Sequence, residues 1–164
     1  MGINTKYRTE EAEIMDDFSL EGEILRDALD KIAKINQLLG GNSLTLLGVK
    51  TLLKNVPADA EITIVDIGCG NGDMLRKLAD FGLKHNFKLK LIGIDANNFT
   101  INHAVHLSKN YSNITYRCEN IFDKAFVALQ YDIVLSTLVL HHFKEDEIIE
   151  ILGVFYTNAK LGIV

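Results

Sequence analysis

The sequence contains few of the residues that mark special architectures. Of its 164 residues, one is proline, two are cysteine and none is tryptophan. Two cysteines, Cys69 and Cys118, are too few for a zinc motif or a disulfide framework, so we expect reduced thiols in a cytoplasmic protein. No apolar run approaches the ~18–20 residues of a membrane helix. The N-terminus also lacks the apolar stretch of a signal peptide.

Positive charge is also scarce. The chain has 17 Lys and Arg against 22 Asp and Glu, a net charge of −5. This balance is unsuited to a nucleic-acid partner, whose phosphates need cations. The five histidines show no metal-ligand spacing, so no metal site is expected. With 48% hydrophobic residues, the chain is expected to form one packed domain.

The first third of the chain predicts two helices, within a helical cap of residues 1–56. The first is expected to start after Ser19 and to stop at Gly40 and Gly41. Its apolar stripe recurs at helical spacing, at Leu25, Leu29, Ile32, Ile35 and Leu39. A second helix, about residues 43–54, has Leu46, Val49 and Leu53 on one side. Pro57 then marks the boundary to a second region, residues 57–164.

After Pro57, strand and helix patterns alternate. Strands are predicted at EITIVDI, KLKLIGID, ITYRC, YDIVLST and LGIV. Helices are indicated by three apolar stripes: Met74, Leu75, Leu78 and Phe81; Ile101, Ala104, Val105 and Ser108; and Ile148, Leu152 and Phe155. Such alternation predicts an α/β fold with a mostly parallel, doubly wound sheet and helices on both faces.

A glycine-rich loop follows the first predicted strand, in the stretch VDIGCGNGDML. Ligands of parallel sheets bind at such turns. A phosphate-binding P-loop would need a lysine after a glycine, and none is present. A dinucleotide loop starting at Gly68 would place its third glycine at residue 73, which is Asp73. That carboxylate would repel a pyrophosphate, so nicotinamide cofactors are disfavoured.

S-adenosylmethionine suits the loop better, because it carries a sulfonium and an ammonium but no phosphate. Asp66, at the end of the first strand, can hold the ammonium. Gly68 and Gly70 allow the backbone to approach a ligand in turn conformations closed to other residues. Asp95 ends the second strand and can accept hydrogen bonds from ribose hydroxyls. An acid serves ribose equally well in nicotinamide enzymes, so Asp95 alone does not discriminate.

The segments IVDIGCGNGDML, LIGIDANN and YDIVLSTLVLHHF follow one another along the chain. They resemble the motifs of class I S-adenosylmethionine-dependent methyltransferases, in particular bacterial small-molecule methyltransferases. This resemblance covers about residues 60–164. It implies a Rossmann-like fold and in-line methyl transfer to a small-molecule acceptor, leaving S-adenosylhomocysteine. The cofactor-binding residues that it implies are Asp66, Gly68, Cys69, Gly70, Asn71, Asp95, Ala96, Asn97, Asn120, Ile121, Ser136 and Thr137.

Several positions remain open within this resemblance. The acid that usually holds the adenine is replaced by the stretch CENIF, where Glu119 or Asn120 can stand in, and Asn120 with Ile121 is preferred. His141 and His142 are candidates to orient or deprotonate an acceptor. Packing or capping before the next helix is the preferred interpretation of both histidines. The resemblance also implies that the N-terminal cap closes over the cofactor, with pocket candidates at Tyr7, Met15 and Phe18. Simple packing of the cap against the sheet remains the alternative.

Alternative functions and an incomplete fold also follow from the resemblance. A nucleic-acid methyltransferase would usually show [DNS]-P-P-[YF] after the fourth strand, whereas this chain has STLVLHH. A cofactor-binding module without independent catalysis remains an alternative. Family members normally have seven strands, and about five are predicted here, so we expect a fragment with an unpaired apolar edge. A homodimer through that edge is a further expectation.

Overall fold

The computed structural model describes residues 20–57 and 59–164. The predictions at Tyr7, Met15, Phe18 and Ser19 lie outside these residues. No helix in the two described ranges combines the length and the apolarity needed to cross a membrane.

Two helices precede the sheet, α1 (Glu23–Leu38) and α2 (Gly41–Leu53). Between them Gly40 adopts a left-handed conformation with φ of 82°, which explains why the first helix stops there. The buried stripe of α1 is narrower than predicted: Leu25, Leu29 and Ala33 are buried, whereas Ile32, Ile35 and Leu39 are partly or largely exposed. The reason is that α1 lies over a cavity, so only the side that carries Leu25, Leu29 and Ala33 packs against the rest of the protein.

The predicted parallel sheet is confirmed. It comprises β1 (Glu61–Ile67), β2 (Lys88–Asp95), β3 (Ile114–Cys118), β4 (Tyr131–Leu135) and β5 (Ala159–Ile163), in the order β3-β2-β1-β4-β5. Every neighbouring pair is parallel. In the described chain β5 pairs on one side, with β4, and its other edge is open. Pairing of that edge with a second copy stays a prediction.

The connecting helices are α3 (Asp73–His85), α4 (Asn98–Leu107), the short α5 (Lys124–Val127) and α6 (Glu145–Asn158). The stripe predicted for α3 is buried throughout. Val105 on α4 and Leu152 on α6 belong to the predicted apolar stripes but are half-exposed. On α6 the reason is that the buried stripe runs through Ile151 and Phe155. Neither α5 nor the 3-10 turn Leu140–His142 was predicted, since both are too short to show periodicity.

The sheet separates two apolar cores, as helices on both faces require. One contains Ile62 and Ile64 of β1 together with residues of α2 and α3. The other contains Val65 and Ile67 of β1 with Ile151 and Phe155 of α6. Alternate residues of one strand therefore face opposite layers, which is the two-residue period of a buried strand. Because α2 shares the first core, the cap and the sheet pack together.

The strand order determines where a ligand site is expected. β1 pairs with β2 on one side and with β4 on the other, so the chain reverses its direction of winding at β1. In the parallel sheet Asp66 lies opposite Gly93 of β2 and Leu135 of β4. The carboxyl ends of these three strands therefore meet at one edge of the sheet. This is the switch point where ligands of open α/β sheets bind.

Candidate functional site

A cavity of about 830 Å³ lies at this switch point, beneath α1 and α2. Its volume falls within the range usual for small-molecule sites. Nearly all of the predicted cofactor residues line it: Asp66, Gly68, Cys69, Gly70, Asn71, Asp95, Ala96, Asn97, Asn120, Ile121 and Thr137. Ser136 does not line it. Its hydroxyl is buried, without a hydrogen-bond partner among the described residues.

The three glycines of the loop between β1 and α3 have left-handed backbone conformations. Gly68, Gly70 and Gly72 have φ values of 64°, 51° and 76°, which side chains other than glycine rarely adopt. A Cβ on Gly68 would lie 2.7 Å from Cγ2 of Val139, and one on Gly72 would overlap the Tyr116 hydroxyl. Gly68 and Gly72 therefore allow close packing of the loop, and Gly70 has only Leu29 nearby, at 3.7 Å.

Asp66 lies at the floor of the cavity and is buried. Burial raises the pKa of Asp66 to about 8, and the charges of Asp73 and Asp95 add to the shift. No described side chain pairs with this carboxylate. A buried acid without a cation is unfavourable when ionised, and a bound ammonium would relieve that cost.

Asp95 ends β2 with both carboxylate oxygens oriented by the backbone. Oδ2 accepts a hydrogen bond from the Gly70 N–H at 3.3 Å, and Oδ1 accepts one from the Asn97 N–H at 3.0 Å. Burial raises the pKa of Asp95, and these two hydrogen bonds oppose that rise. A carboxylate offers about four acceptor sites, so two remain for a ligand.

Asn97 has a structural role at the cavity wall. Its Oδ1 accepts the Thr100 N–H at 2.9 Å and caps α4, and its Nδ2 donates to the Leu20 carbonyl at 2.8 Å. Asn97 therefore ties the segment before α1 to the loop after β2. Ala96 lies beside it along the wall.

Polar residues of α1 and α2 complete the cavity, and sequence reasoning missed them. Asn42 of α2 donates from Nδ2 to Oδ2 of Asp73 at 2.6 Å. The hydroxyl of Thr45 lies 3.4 Å from the hydroxyl of Thr137, within hydrogen-bond distance. On α1, Asp30 lies behind the cavity lining and accepts a hydrogen bond from Nδ2 of Asn71, which does line the cavity, at 2.9 Å. The one signal for Asn42 and Thr45 was their polar side chains on an otherwise apolar helix face.

The end of β3 brings both adenine candidates to the cavity. Glu119 and Asn120 each line it, with the buried side chain of Ile121 beside them. Oδ1 of Asn120 accepts the Phe122 N–H at 3.0 Å, which leaves its amide N–H groups available. The preference for Asn120 stays a prediction.

The end of β4 forms the other wall. After Thr137 the chain passes through Leu138, which has a φ of 58° although it is not glycine. The 3-10 turn then places His141 and His142 on the cavity, with their rings 4.0 Å apart. Phe143 stacks edge-on against Phe122 at 5.8 Å. Aromatic and imidazole groups therefore line this wall, opposite the glycine loop.

The cavity lining carries more acidic than basic residues. Five acids line the cavity, Asp66, Asp73, Asp95, Glu119 and Glu147, and no described Lys or Arg does so. Such a lining disfavours phosphates and favours a ligand with positive charge. No group of three or more potential metal ligands occurs in the described ranges.

Sequence comparison agrees with this geometry. The profile of a family described as "Methyltransferase domain" matches residues 58–155. The chain belongs to this family. The matched range starts just before β1 and ends within α6, so it covers the cavity walls formed by the sheet. No curated protein sequence matches the chain significantly.

Solved structures share the fold at low sequence identity. Magnesium protoporphyrin IX methyltransferase from Synechocystis PCC 6803, with bound SAM, is 18% identical with a TM-score of 0.58 over 87% of this chain. The plantazolicin methyltransferase BpumL, in complex with SAH, is 24% identical with a TM-score of 0.61 over 83%. An O-methyltransferase family protein from Burkholderia thailandensis is 18% identical with a TM-score of 0.63 over 87%.

This chain is shorter than these proteins. It covers 63%, 48% and 40% of the three structures, respectively. The likeness therefore concerns the Rossmann-like, sheet-based part of each.

Proposed function

We propose that the chain is the cofactor-binding core of an S-adenosylmethionine-dependent methyltransferase that acts on a small-molecule acceptor. The observation that carries this proposal is the position of two acids at the cavity, Asp66 at the end of β1 and Asp95 at the end of β2, beside the glycine loop and with no described Lys or Arg in the lining. Two structural neighbours were crystallised with SAM or SAH, which supports the same cofactor here.

The residues present fit this cofactor. Asp66 offers a buried carboxylate for the ammonium group, and Asp95 has two acceptor sites left for ribose hydroxyls. Gly70 leaves the backbone accessible, and Ile121 supplies an apolar side chain beside the amide of Asn120. These groups cover the charged, hydroxylated and aromatic parts of the molecule in turn.

The chemistry demands little from the protein. The sulfonium supplies an activated methyl group, so the chain has to align the acceptor with it and to exclude water. The wall formed by Phe122, Leu138, Val139 and Phe143 suits an acceptor with an apolar body. His141 and His142 lie on that wall, where an imidazole can receive a proton from an acceptor hydroxyl or amine.

Calorimetry tests the cofactor assignment. S-adenosylhomocysteine should bind with micromolar to sub-millimolar affinity, and NAD should not bind. Asp95→Ala should weaken S-adenosylhomocysteine at least tenfold, since two charge-assisted hydrogen bonds are lost. The matched control is Asp132→Ala, because Asp132 accepts the Thr63 N–H at 2.7 Å in the sheet. That variant should lose stability without losing affinity, and tighter binding of NAD would refute the assignment.

A cofactor-binding module without its own catalysis is the second candidate. The chain spans 48% of the length of the BpumL structure, and the site residues argued above serve the cofactor rather than a particular acceptor. A screen of acceptors with labelled S-adenosylmethionine separates the candidates: methyl transfer supports the enzyme, and binding without transfer supports the module.

A further inference from the structure

Asp30 of α1 joins three separate elements of the structure. Its Oδ1 accepts a hydrogen bond from Nδ2 of Asn71 in the glycine loop at 2.9 Å, and another from Nε2 of His103 on α4, also at 2.9 Å. The His103 side chain is 11% exposed. Burial alone raises the pKa of Asp30, yet these hydrogen bonds bring it below its ordinary value. Asp30 is therefore ionised and its acceptor oxygen is occupied.

Asn71 connects Asp30 to the glycine loop. Its side chain is buried, and its Oδ1 accepts the N–H of Asp73, the first residue of α3, at 3.1 Å. Its carbonyl accepts a hydrogen bond from Nη1 of Arg76 at 2.6 Å. Asn71 lies between Gly70 and Gly72, both in the left-handed region. Glycines add little stiffness, so the loop depends on the side-chain contacts of Asn71 for its shape.

The same loop reaches the cavity acid. The Gly70 N–H donates to Oδ2 of Asp95, so a change in the path of the loop also moves a hydrogen bond that orients this carboxylate. Contacts thus run without a break from Asp30 through Asn71 and Gly70 to Asp95.

Because α1 is attached by few buried residues, its polar contacts through Asp30 contribute substantially to holding it in place. In the described chain α1 buries three residues, Leu25, Leu29 and Ala33. Its N-cap residue is Gly22, which has no side chain that could cap the helix. Polar contacts at Leu20 and Asp30 supplement this small apolar area. A helix held in this way opens at lower free energy than the core does.

We propose that Asp30 is a positioning residue through which closure of α1 over the cavity sets the shape of the glycine loop for cofactor binding. This inference rests on the proposed function for the identity of the ligand. The coupling itself concerns contacts of the protein alone. Cap and loop should therefore order together, with or without catalysis.

Two substitutions separate charge from geometry, and a third is the control. Asp30→Ala removes the shared acceptor and should weaken S-adenosylhomocysteine about tenfold, within the usual range of coupling between sites. Asp30→Asn keeps an oxygen acceptor and should fall between Asp30→Ala and the unsubstituted protein. Asp27→Asn changes an exposed acid one turn earlier on α1 and should leave affinity within about twofold.

Hydrogen exchange of residues 68–73, measured without ligand, is the second readout. Asp30→Ala should speed exchange in this loop while β1 and β2 stay protected. His103→Ala should act in the same direction but more weakly, because Asn71 keeps its bond, and adding it to Asp30→Ala should have no further effect. Asp30→Asn and His103→Ala carry the test if Asp30→Ala does not fold.

Two results would overturn the inference: unchanged loop exchange in Asp30→Ala, or unchanged affinity despite faster loop exchange. Failure of the proposed function looks different. The unsubstituted protein would then not bind S-adenosylhomocysteine, whereas the loop would still exchange faster in Asp30→Ala.

Discussion

The carboxyl ends of β1 and β2 and the carboxyl end of β4 face the same cavity but are constructed differently. At β1 and β2, Asp66 and Asp95 are enclosed, and backbone donors fix the orientation of Asp95. At β4, Leu138 is 64% exposed and holds a left-handed conformation, and the histidines that follow are exposed. The first region is enclosed and hydrogen-bonded, and the second is open to solvent.

This difference matches the two tasks of the function proposed above, binding of the cofactor and binding of an acceptor. A cofactor is the same molecule at every turnover, so a preformed site lowers the cost of ordering it. Acceptors differ between relatives, and an exposed loop tolerates change at little cost in stability. The substitutions below probe the enclosed region first and the open one last.

Gly68→Ala should have the largest effect. An alanine at φ of 64° costs about 1–2 kcal/mol, and its Cβ would lie 2.7 Å from Cγ2 of Val139. We expect S-adenosylhomocysteine affinity to fall by more than tenfold in calorimetry, with a lower melting temperature. Gly153→Ala is the matched control. It lies within α6 with open space around it, and should stabilise by about 0.5–1 kcal/mol without affecting binding.

A double substitution shows which part of the Gly68 effect is steric. Gly68→Ala with Val139→Ala removes the contact and leaves the backbone strain. Partial recovery of affinity is expected. Full affinity in the single Gly68→Ala variant would mean that the loop is less constrained than its geometry indicates.

The pH dependence of binding tests Asp66. Its pKa is raised from 3.8 to about 8, so between these values the folded protein holds a proton that the unfolded chain releases. The contribution of Asp66 therefore lowers the free energy of unfolding as the pH rises from about 4 to about 8. A ligand ammonium favours the carboxylate, so its binding below pH 8 should release a proton.

Affinity for S-adenosylhomocysteine should rise about fivefold between pH 7 and pH 8, as the ionised fraction of Asp66 grows. Calorimetry at pH 7 in two buffers with different ionisation enthalpies measures the released proton. Asp66→Asn should abolish the release and should stabilise the ligand-free protein above pH 8. Equal proton release in Asp66→Asn would assign the titration to another group.

Sequence reasoning recovered the enclosed region because its constraints are local. The apolar runs gave all five strands, and the glycine spacing with Asp66 and Asp95 gave most of the cavity floor. The contribution of Asp30 was not predictable, because its partners Asn71 and His103 are 41 and 73 residues away in sequence. The exposed side of α1 was also missed: Ile32 and Ile35 follow the helical period, yet α1 packs along one edge.

The smallest effect is expected at Leu138, in the open region. A leucine in the left-handed region is strained by about 1–2 kcal/mol, whereas asparagine adopts that conformation more readily. Leu138 is 64% exposed, so Leu138→Asn loses little apolar burial. We expect this variant to be as stable as the unsubstituted protein, or more stable by up to about 1 kcal/mol in denaturant unfolding.

Leu83→Asn provides the comparison for Leu138. Leu83 is 84% exposed on α3, where the backbone is helical, so asparagine there should destabilise by about 0.5 kcal/mol. The two substitutions exchange the same side chains and differ in backbone conformation. An equal loss of stability in both would show that Leu138 is not strained. A gain at Leu138 alone would show that the open wall of the cavity stores backbone strain, as functional loops often do.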